Sequence, residues 1–94
     1  VAFFRAWERV DEHLQRFAPE FIVFQCGADG LAGDPLAHLA YTPAVHAHAA
    51  TRLCALADQY AQGRLMAFGG GGYDAGNLAA AWTAALDAMV RHTK

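Results

Sequence analysis

Two apolar stretches of this sequence each end beside a polar residue that could take part in chemistry. The stretch "FIVFQCGAD" ends in Asp29, and "LMAFGGGGYD" carries Tyr73 directly after four glycines. A tyrosine hydroxyl is a good hydrogen-bond donor to an oxygen that gains negative charge in a transition state. For Asp29, the spacing alone is equally consistent with an aspartate that forms a turn or caps a helix, and Asp34, beside Pro35, is typical of a turn.

The glycine run at 69–72 allows several interpretations. Gly70, Gly72 and Ala75 fit the dinucleotide-binding pattern G-x-G-x-x-A, but an acidic residue about 20 positions later is missing, because only Asp87 follows, deep in a helical stretch. No Gly-Lys-Ser/Thr follows for a Walker loop, and a flexible linker would have polar flanks. The remaining interpretation is that glycines let the backbone pass close to a ligand or a neighbouring strand and deliver Tyr73 to a pocket.

The histidines provide little further support for a site. His46 and His48 form H-x-H, but on a helix residues two apart point about 200° away from each other, so a metal pair is disfavoured. His38 falls in the loop after the first motif and is a weak candidate neighbour of the site.

The first half of the chain predicts a helix, a strand, a loop and a second helix. Apolar residues recur every three or four positions across 3–17, which predicts an amphipathic helix, and "EFIVFQCGAD" predicts a short buried strand. Thr42 before Pro43 predicts the N-cap and first position of a second helix, which Gly63 closes.

The second half predicts another strand and a third helix. "RLMAFGGGG" is a short apolar strand, and a helix from Asn77 onward would bury a face of large apolar side chains: Leu78, Trp82, Leu86 and Met89. The order α-β-α-β-α predicts parallel strands in a sheet with helices on both faces. The carboxyl ends of parallel neighbours, about 4.8 Å apart, meet at one sheet edge, so Asp29 and Tyr73 are expected to face one cavity.

Composition places the chain in a folded core and excludes several classes of protein. The 94 residues are 55% hydrophobic, with a net charge of −2 and basic residues spread singly, so we expect neither nucleic-acid binding nor a membrane span. Cys26 and Cys54 lie in apolar stretches and are predicted to be reduced, which favours the cytoplasm. Two strands of central character need neighbours on each side, so we expect the chain to be part of a larger sheet domain.

The motifs "FQCGADGLAGDPL" and "LMAFGGGGYDAGNLAAAWT", about forty residues apart, resemble the C-terminal part of histone deacetylase family proteins, with the bacterial acetoin utilization branch most similar. The resemblance implies a three-layer α-β-α fold with a parallel sheet, of the arginase/deacetylase type, of which residues 1–94 would be a C-terminal part. It implies zinc-dependent hydrolysis of an acetylated lysine or a small acetylated amine.

The resemblance also implies roles for single residues. Asp29, in the family's G-A-D motif, would be a ligand of the catalytic zinc, and Tyr73 would hydrogen-bond the substrate carbonyl. Leu36 and Gly71 would line the acyl-lysine channel. The family's paired histidines and its D-x-H segment, which supplies the other zinc ligands, have no counterpart in this chain and are expected upstream, so we expect the chain alone to be inactive.

Some positions depart from the family pattern. Gly30 stands where Ser or Thr is common, and Ala80 stands where an Arg is frequent. These changes weaken any expectation of inositol phosphate binding. The alternative function is a non-catalytic α/β module that binds a nucleotide phosphate or a protein partner through the loop Gly70–Ala75.

Overall fold

The computed structural model describes residues 2–35 and 41–93. Across these ranges the elements run α1 (Ala2–Phe17), β1 (Ile22–Gln25), α2 (Pro43–Tyr60), β2 (Leu65–Phe68) and α3 (Ala75–His92). The predicted order α-β-α-β-α is therefore confirmed. None of the helices in these ranges is long and apolar enough to cross a membrane.

The two strands pair in parallel, as predicted. Ile22 lies opposite Leu65 and Gln25 opposite Phe68. Because side chains alternate along a strand, Ile22 and Phe24 face the helices while Val23 faces away. Ile22 packs against Leu53 and Leu56 of α2.

The predicted coverage of both sheet faces is not found within the part of the chain that the structure describes. Val23 is 64% exposed and Met66 is 48% exposed, although both side chains are apolar. These two residues pair across the strands and lie on the face opposite Ile22. The described residues therefore cover one face of the sheet and leave the apolar side chains of the other face exposed.

Helix α3 buries only part of the predicted face: Leu78 and Met89 pack partly buried against the core, as predicted, whereas Trp82 and Leu86 do not. The sequence favours a face of large apolar residues, but Leu86 is 61% exposed and Trp82 is 37% exposed. The buried residues of α3 are Ala81, Ala85 and Ala88. Two of these alanines pack with Ala50 of α2 and with Cys26, because small side chains allow helices to approach closely.

Helix α3 also begins two residues earlier than predicted. Asp74 is its N-cap, and the carboxylate accepts a hydrogen bond of 2.9 Å from the backbone N–H of Asn77. Thr42 occupies the predicted N-cap position of α2, with Pro43 following, but its side chain makes no capping hydrogen bond. Cys26 and Cys54 are free and buried, as predicted, and burial raises the pKa of both thiols.

A bidentate ion pair joins α1 to α2. Arg52 donates from Nε to Asp11 Oδ2 at 2.6 Å and from Nη2 to Oδ1 at 2.9 Å. The Asp11 side chain is 12% exposed. These hydrogen bonds hold the pKa of Asp11 below its ordinary value of 3.8.

Asp11→Asn is expected to lower the free energy of unfolding by about 1 kcal/mol at pH 7, because Arg52 is partly exposed and the pair is screened by solvent. The folded-state pKa of Asp11 is depressed, so its stabilisation is present above the unfolded pKa and disappears as pH falls through the folded pKa. Urea unfolding of the wild type and of Asp11→Asn, at pH 7 and again below pH 3.8, gives the difference in their free energies of unfolding at each pH. Asp87→Asn, which removes the exposed pair with Arg91, is the control and should change little.

Candidate functional site

The loops that follow the two strands lie side by side. The parallel pairing continues beyond the strands, since Cys26 N–H donates to Phe68 O at 2.7 Å and Ala28 N–H donates to Gly71 O at 2.6 Å. The G-A-D turn and the glycine run therefore meet at the carboxyl edge of the sheet. This is the juxtaposition that the order of elements predicts.

The Asp29 carboxylate lies directly over the backbone of Gly71. A Cβ added at position 71 would overlap Asp29 Oδ2 and would be 2.8 Å from Cγ. Asp29 is half-buried, and within residues 2–35 and 41–93 no hydrogen bond or ion pair occupies its carboxylate oxygens. Gly71 therefore makes room for Asp29. Its predicted place along a substrate channel stays a prediction.

Each of the other three glycines in the run also adjoins a particular neighbour. A Cβ at Gly69 would be 2.8 Å from the Trp82 ring, and one at Gly70 would overlap Gln25 Nε2. One at Gly72 would be 2.7 Å from Leu78 Cδ2. The run is therefore a close-packed wall. An added side chain would meet the Trp82 ring at Gly69 and Leu78 at Gly72, whereas at Gly70 the neighbour is the flexible end of Gln25, which can move aside.

Gly72→Ala is expected to destabilise the fold by about 2–4 kcal/mol, because it combines backbone strain with overpacking. Gly72 has φ +145°, and the added methyl would lie 3.0 Å from the Ala28 Cβ. Denaturant unfolding gives the change in free energy. Gly76→Ala, whose methyl would meet Asp74 Oδ1 at 3.3 Å in the first turn of α3, is the matched control and should change stability by less than about 1 kcal/mol. Equal losses for both variants would contradict the expectation.

Tyr73 follows the glycine wall and precedes the N-cap of α3. The residue is 56% exposed. Its backbone N–H donates to Asp34 Oδ1 at 2.8 Å. The sequence predicts only a turn at Asp34, whereas the buried carboxylate also binds the loop that carries Tyr73.

Two further side chains support the G-A-D turn through hydrogen bonds that the sequence patterns do not predict. Trp82 Nε1 donates a hydrogen bond to Cys26 O at 2.9 Å. His46 Nε2 lies 2.7 Å from Gly27 O, and the nitrogen is the donor because a carbonyl oxygen only accepts. His46 is buried. Nothing local in the sequence marks these contacts, because each joins segments at least 19 residues apart.

A cavity of about 260 Å³ opens beside the same turn. Asp29, Gly30, Tyr41 and His46 are among the residues that line it, whereas Tyr73 is not, so this cavity is not the shared one that the sequence predicts for Asp29 and Tyr73. The ring of His48 instead packs against Phe4, with 4.8 Å between centroids, so His46 and His48 have different neighbours.

Leu36, the predicted channel residue, and His38, the weak neighbour of the site, both lie outside the described residues. Among the residues that are described, no three His, Cys, Asp or Glu side chains come together in a way that could hold a metal ion. Within these ranges, Asp29 thus lacks two further side chains of this kind placed to share a metal ion with it.

The glycine loop is poorly suited to a phosphate group. The Asp29 carboxylate lies against Gly71, and Asp34 binds the N–H of Tyr73. A phosphate needs open N–H groups and a neutral or positive surrounding. Two carboxylates at the loop therefore disfavour nucleotide binding.

Comparison with known proteins identifies the family. The model of the histone deacetylase domain matches residues 2–89. This chain belongs to the histone deacetylase family. The resemblance carried by the G-A-D and glycine–tyrosine motifs is thereby confirmed.

Curated relatives in the family come from bacteria and animals. The acetoin utilization protein AcuC of Bacillus subtilis (strain 168) is 43% identical over 58 residues, which are 62% of this chain and 15% of AcuC. The putative histone deacetylase 2 of Caenorhabditis elegans is 40% identical over 68 residues, which are 72% of this chain and 12% of that protein. The chain thus spans about an eighth to a sixth of the length of these two relatives.

Solved structures of the family share the fold. The histone deacetylase Clr3 superposes with a TM-score of 0.86 and 28% identity, over 95% of this chain and 14% of Clr3. The HDA15 HD domain gives a TM-score of 0.78 and 26% identity, over 89% of this chain and 23% of that one. The α/β fold with a parallel sheet is therefore of the deacetylase type, as predicted.

Proposed function

We propose that this chain is part of a zinc-dependent deacetylase domain that hydrolyses the amide of an acetylated lysine or of a small acetylated amine. The observation that carries the proposal is the position of the Asp29 carboxylate over Gly71, two residues before Tyr73, in a chain of the histone deacetylase family. A metal-binding type of side chain and a hydrogen-bond donor thus follow adjacent strands at one sheet edge.

The donor chemistry of Asp29 fits a zinc ion. Carboxylate oxygens are common zinc ligands, and the Asp29 oxygens are not taken up by hydrogen bonds among the described residues. A catalytic zinc needs about three protein ligands, so in this proposal the remaining ligands come from residues other than those that the structure describes. When bound, zinc supplies Lewis-acid polarisation of the substrate carbonyl and activation of water.

Tyr73 takes the complementary role in this proposal. Its hydroxyl donates a hydrogen bond to the substrate carbonyl oxygen, and that bond strengthens as negative charge develops on the oxygen. Water adds to the acetyl carbon, the C–N bond breaks, and acetate and the protonated amine are released. The groups that move these protons are expected outside this chain, since the family's paired histidines have no counterpart here.

The test compares the complete deacetylase domain with the isolated 94 residues. For the complete domain we expect about one equivalent of bound zinc and acetate release from an acetyl-lysine peptide. Chelation should remove both the zinc and the activity, and added zinc should restore them. For the isolated chain we expect neither stoichiometric zinc nor turnover. Turnover by the complete domain that survives removal of all metal would contradict the proposal, as would turnover by the isolated chain.

A further inference from the structure

The carboxylate of Asp34 links the two loops of the candidate site. Asp34 lies five residues after Asp29 and is only 3% exposed. Its Oδ1 accepts the backbone N–H of Tyr73 at 2.8 Å, across 39 positions of sequence. One buried side chain therefore reaches from the loop that carries Asp29 to the backbone of Tyr73.

The backbone of Tyr73 needs such an anchor. Four glycines precede it, and Gly72 has φ +145°, so the chain on that side lacks side chains that could hold it. The preceding interloop bond joins Ala28 to Gly71, two residues before Tyr73. On the other side, α3 begins at its N-cap, Asp74. Among the described residues, the Asp34 carboxylate thus supplies a side-chain hydrogen bond to Tyr73 itself at the point where the glycine run ends.

A second bond joins the same two segments. Asn77 Nδ2, in the first turn of α3, donates to Ala32 O at 2.9 Å. The loop around Asp34 is therefore held to α3 just beyond Tyr73. This bond ties the loop to the helix, whereas the Asp34 bond ties it to Tyr73 itself.

We propose that Asp34 is a positioning residue for the reaction, which sets the location of the Tyr73 hydroxyl relative to Asp29 through its hydrogen bond to the Tyr73 N–H. This inference rests on the proposed function. A displacement of about 1 Å in a catalytic group can cost about 10²-fold in rate. Loss of the anchor should therefore lower kcat, with little change in KM, because the Tyr73 hydrogen bond strengthens only as charge develops.

The experiment is a double-mutant cycle in the complete deacetylase domain with an acetyl-lysine peptide. Asp34→Ala is expected to lower kcat about 10- to 100-fold when Tyr73 is present, and by at most about threefold in the Tyr73→Phe background. A structural role alone would give the same loss in both backgrounds. Asp34→Asn keeps a side-chain oxygen that can accept the Tyr73 N–H, and it should retain more activity than Asp34→Ala.

Controls separate positioning from unfolding. Asp11→Ala removes a partly buried carboxylate in α1, far along the chain from the strand ends, and should leave kcat unchanged below its melting temperature. If Asp34→Ala fails to fold by circular dichroism, the same cycle is run with Asp34→Leu, which has a side chain of similar size and cannot accept the Tyr73 N–H. Equal losses in both backgrounds, or an unchanged kcat for a folded Asp34→Ala, would overturn the inference. If Tyr73→Phe itself leaves kcat unchanged, the proposed role of Tyr73 fails instead, so the two failures are distinguishable.

Discussion

Tyr73→Phe is expected to lower kcat of the complete domain for an acetyl-lysine peptide by about 10²- to 10³-fold, the usual cost of losing one donor to a developing oxyanion. The substitution removes only the hydroxyl. Because the residue is 56% exposed and is held through its backbone N–H, the fold should be unaffected. KM should change much less than kcat, since the lost bond stabilises the transition state more than the bound substrate.

The matched control for this prediction is Tyr60→Phe. Tyr60 lies at the end of α2, and its hydroxyl accepts a hydrogen bond from Gln59 at 3.1 Å, away from the strand ends. This variant loses the same atom and should keep wild-type kcat. A Tyr73→Phe enzyme as active as Tyr60→Phe would show that the phenol has no part in the reaction.

Asp29→Ala is expected to abolish stoichiometric zinc binding and, with it, turnover. Loss of a group that merely supports a zinc ligand costs about 10- to 100-fold in affinity, so loss of a ligand should cost more. Zinc content by elemental analysis after dialysis measures the first effect, and acetate release measures the second. Asp87→Ala removes another carboxylate, at an exposed position of α3, and should keep both stoichiometric zinc and acetate release. Full zinc occupancy in Asp29→Ala would refute Asp29 as a ligand.

Gly71→Ala tests the same carboxylate without replacing it. The added methyl would overlap Asp29 Oδ2, so either the carboxylate or the glycine loop must move. We therefore expect weaker zinc binding even though every ligand atom is retained. If zinc affinity is unchanged, the packing of Asp29 against Gly71 is not what orients the carboxylate.

Much of the fold follows from local patterns. The amphipathic spacing of residues 3–17, the Thr42–Pro43 helix start and the two short apolar runs predict all five elements in order, and the structure confirms them. Alternating helices and apolar strands also predict the parallel pairing. The buried face of α3 was not predictable in the same way, because alanine carries a weak hydrophobic signal and is buried there by close packing against α2.

The sequence by itself determined the family and the two positions, Asp29 and Tyr73, where polar residues end the apolar strands. Only the tertiary structure decided why the wall contains four glycines. Side chains from outside the run pack against it: Trp82, Gln25, Asp29 and Leu78. It also decided that Asp34, which looks like an ordinary turn residue, holds Tyr73 in place. Local sequence patterns report the conformation of adjacent residues, whereas the contacts of Asp29 with Gly71 and of Asp34 with Tyr73 join segments about 40 residues apart in the folded sheet.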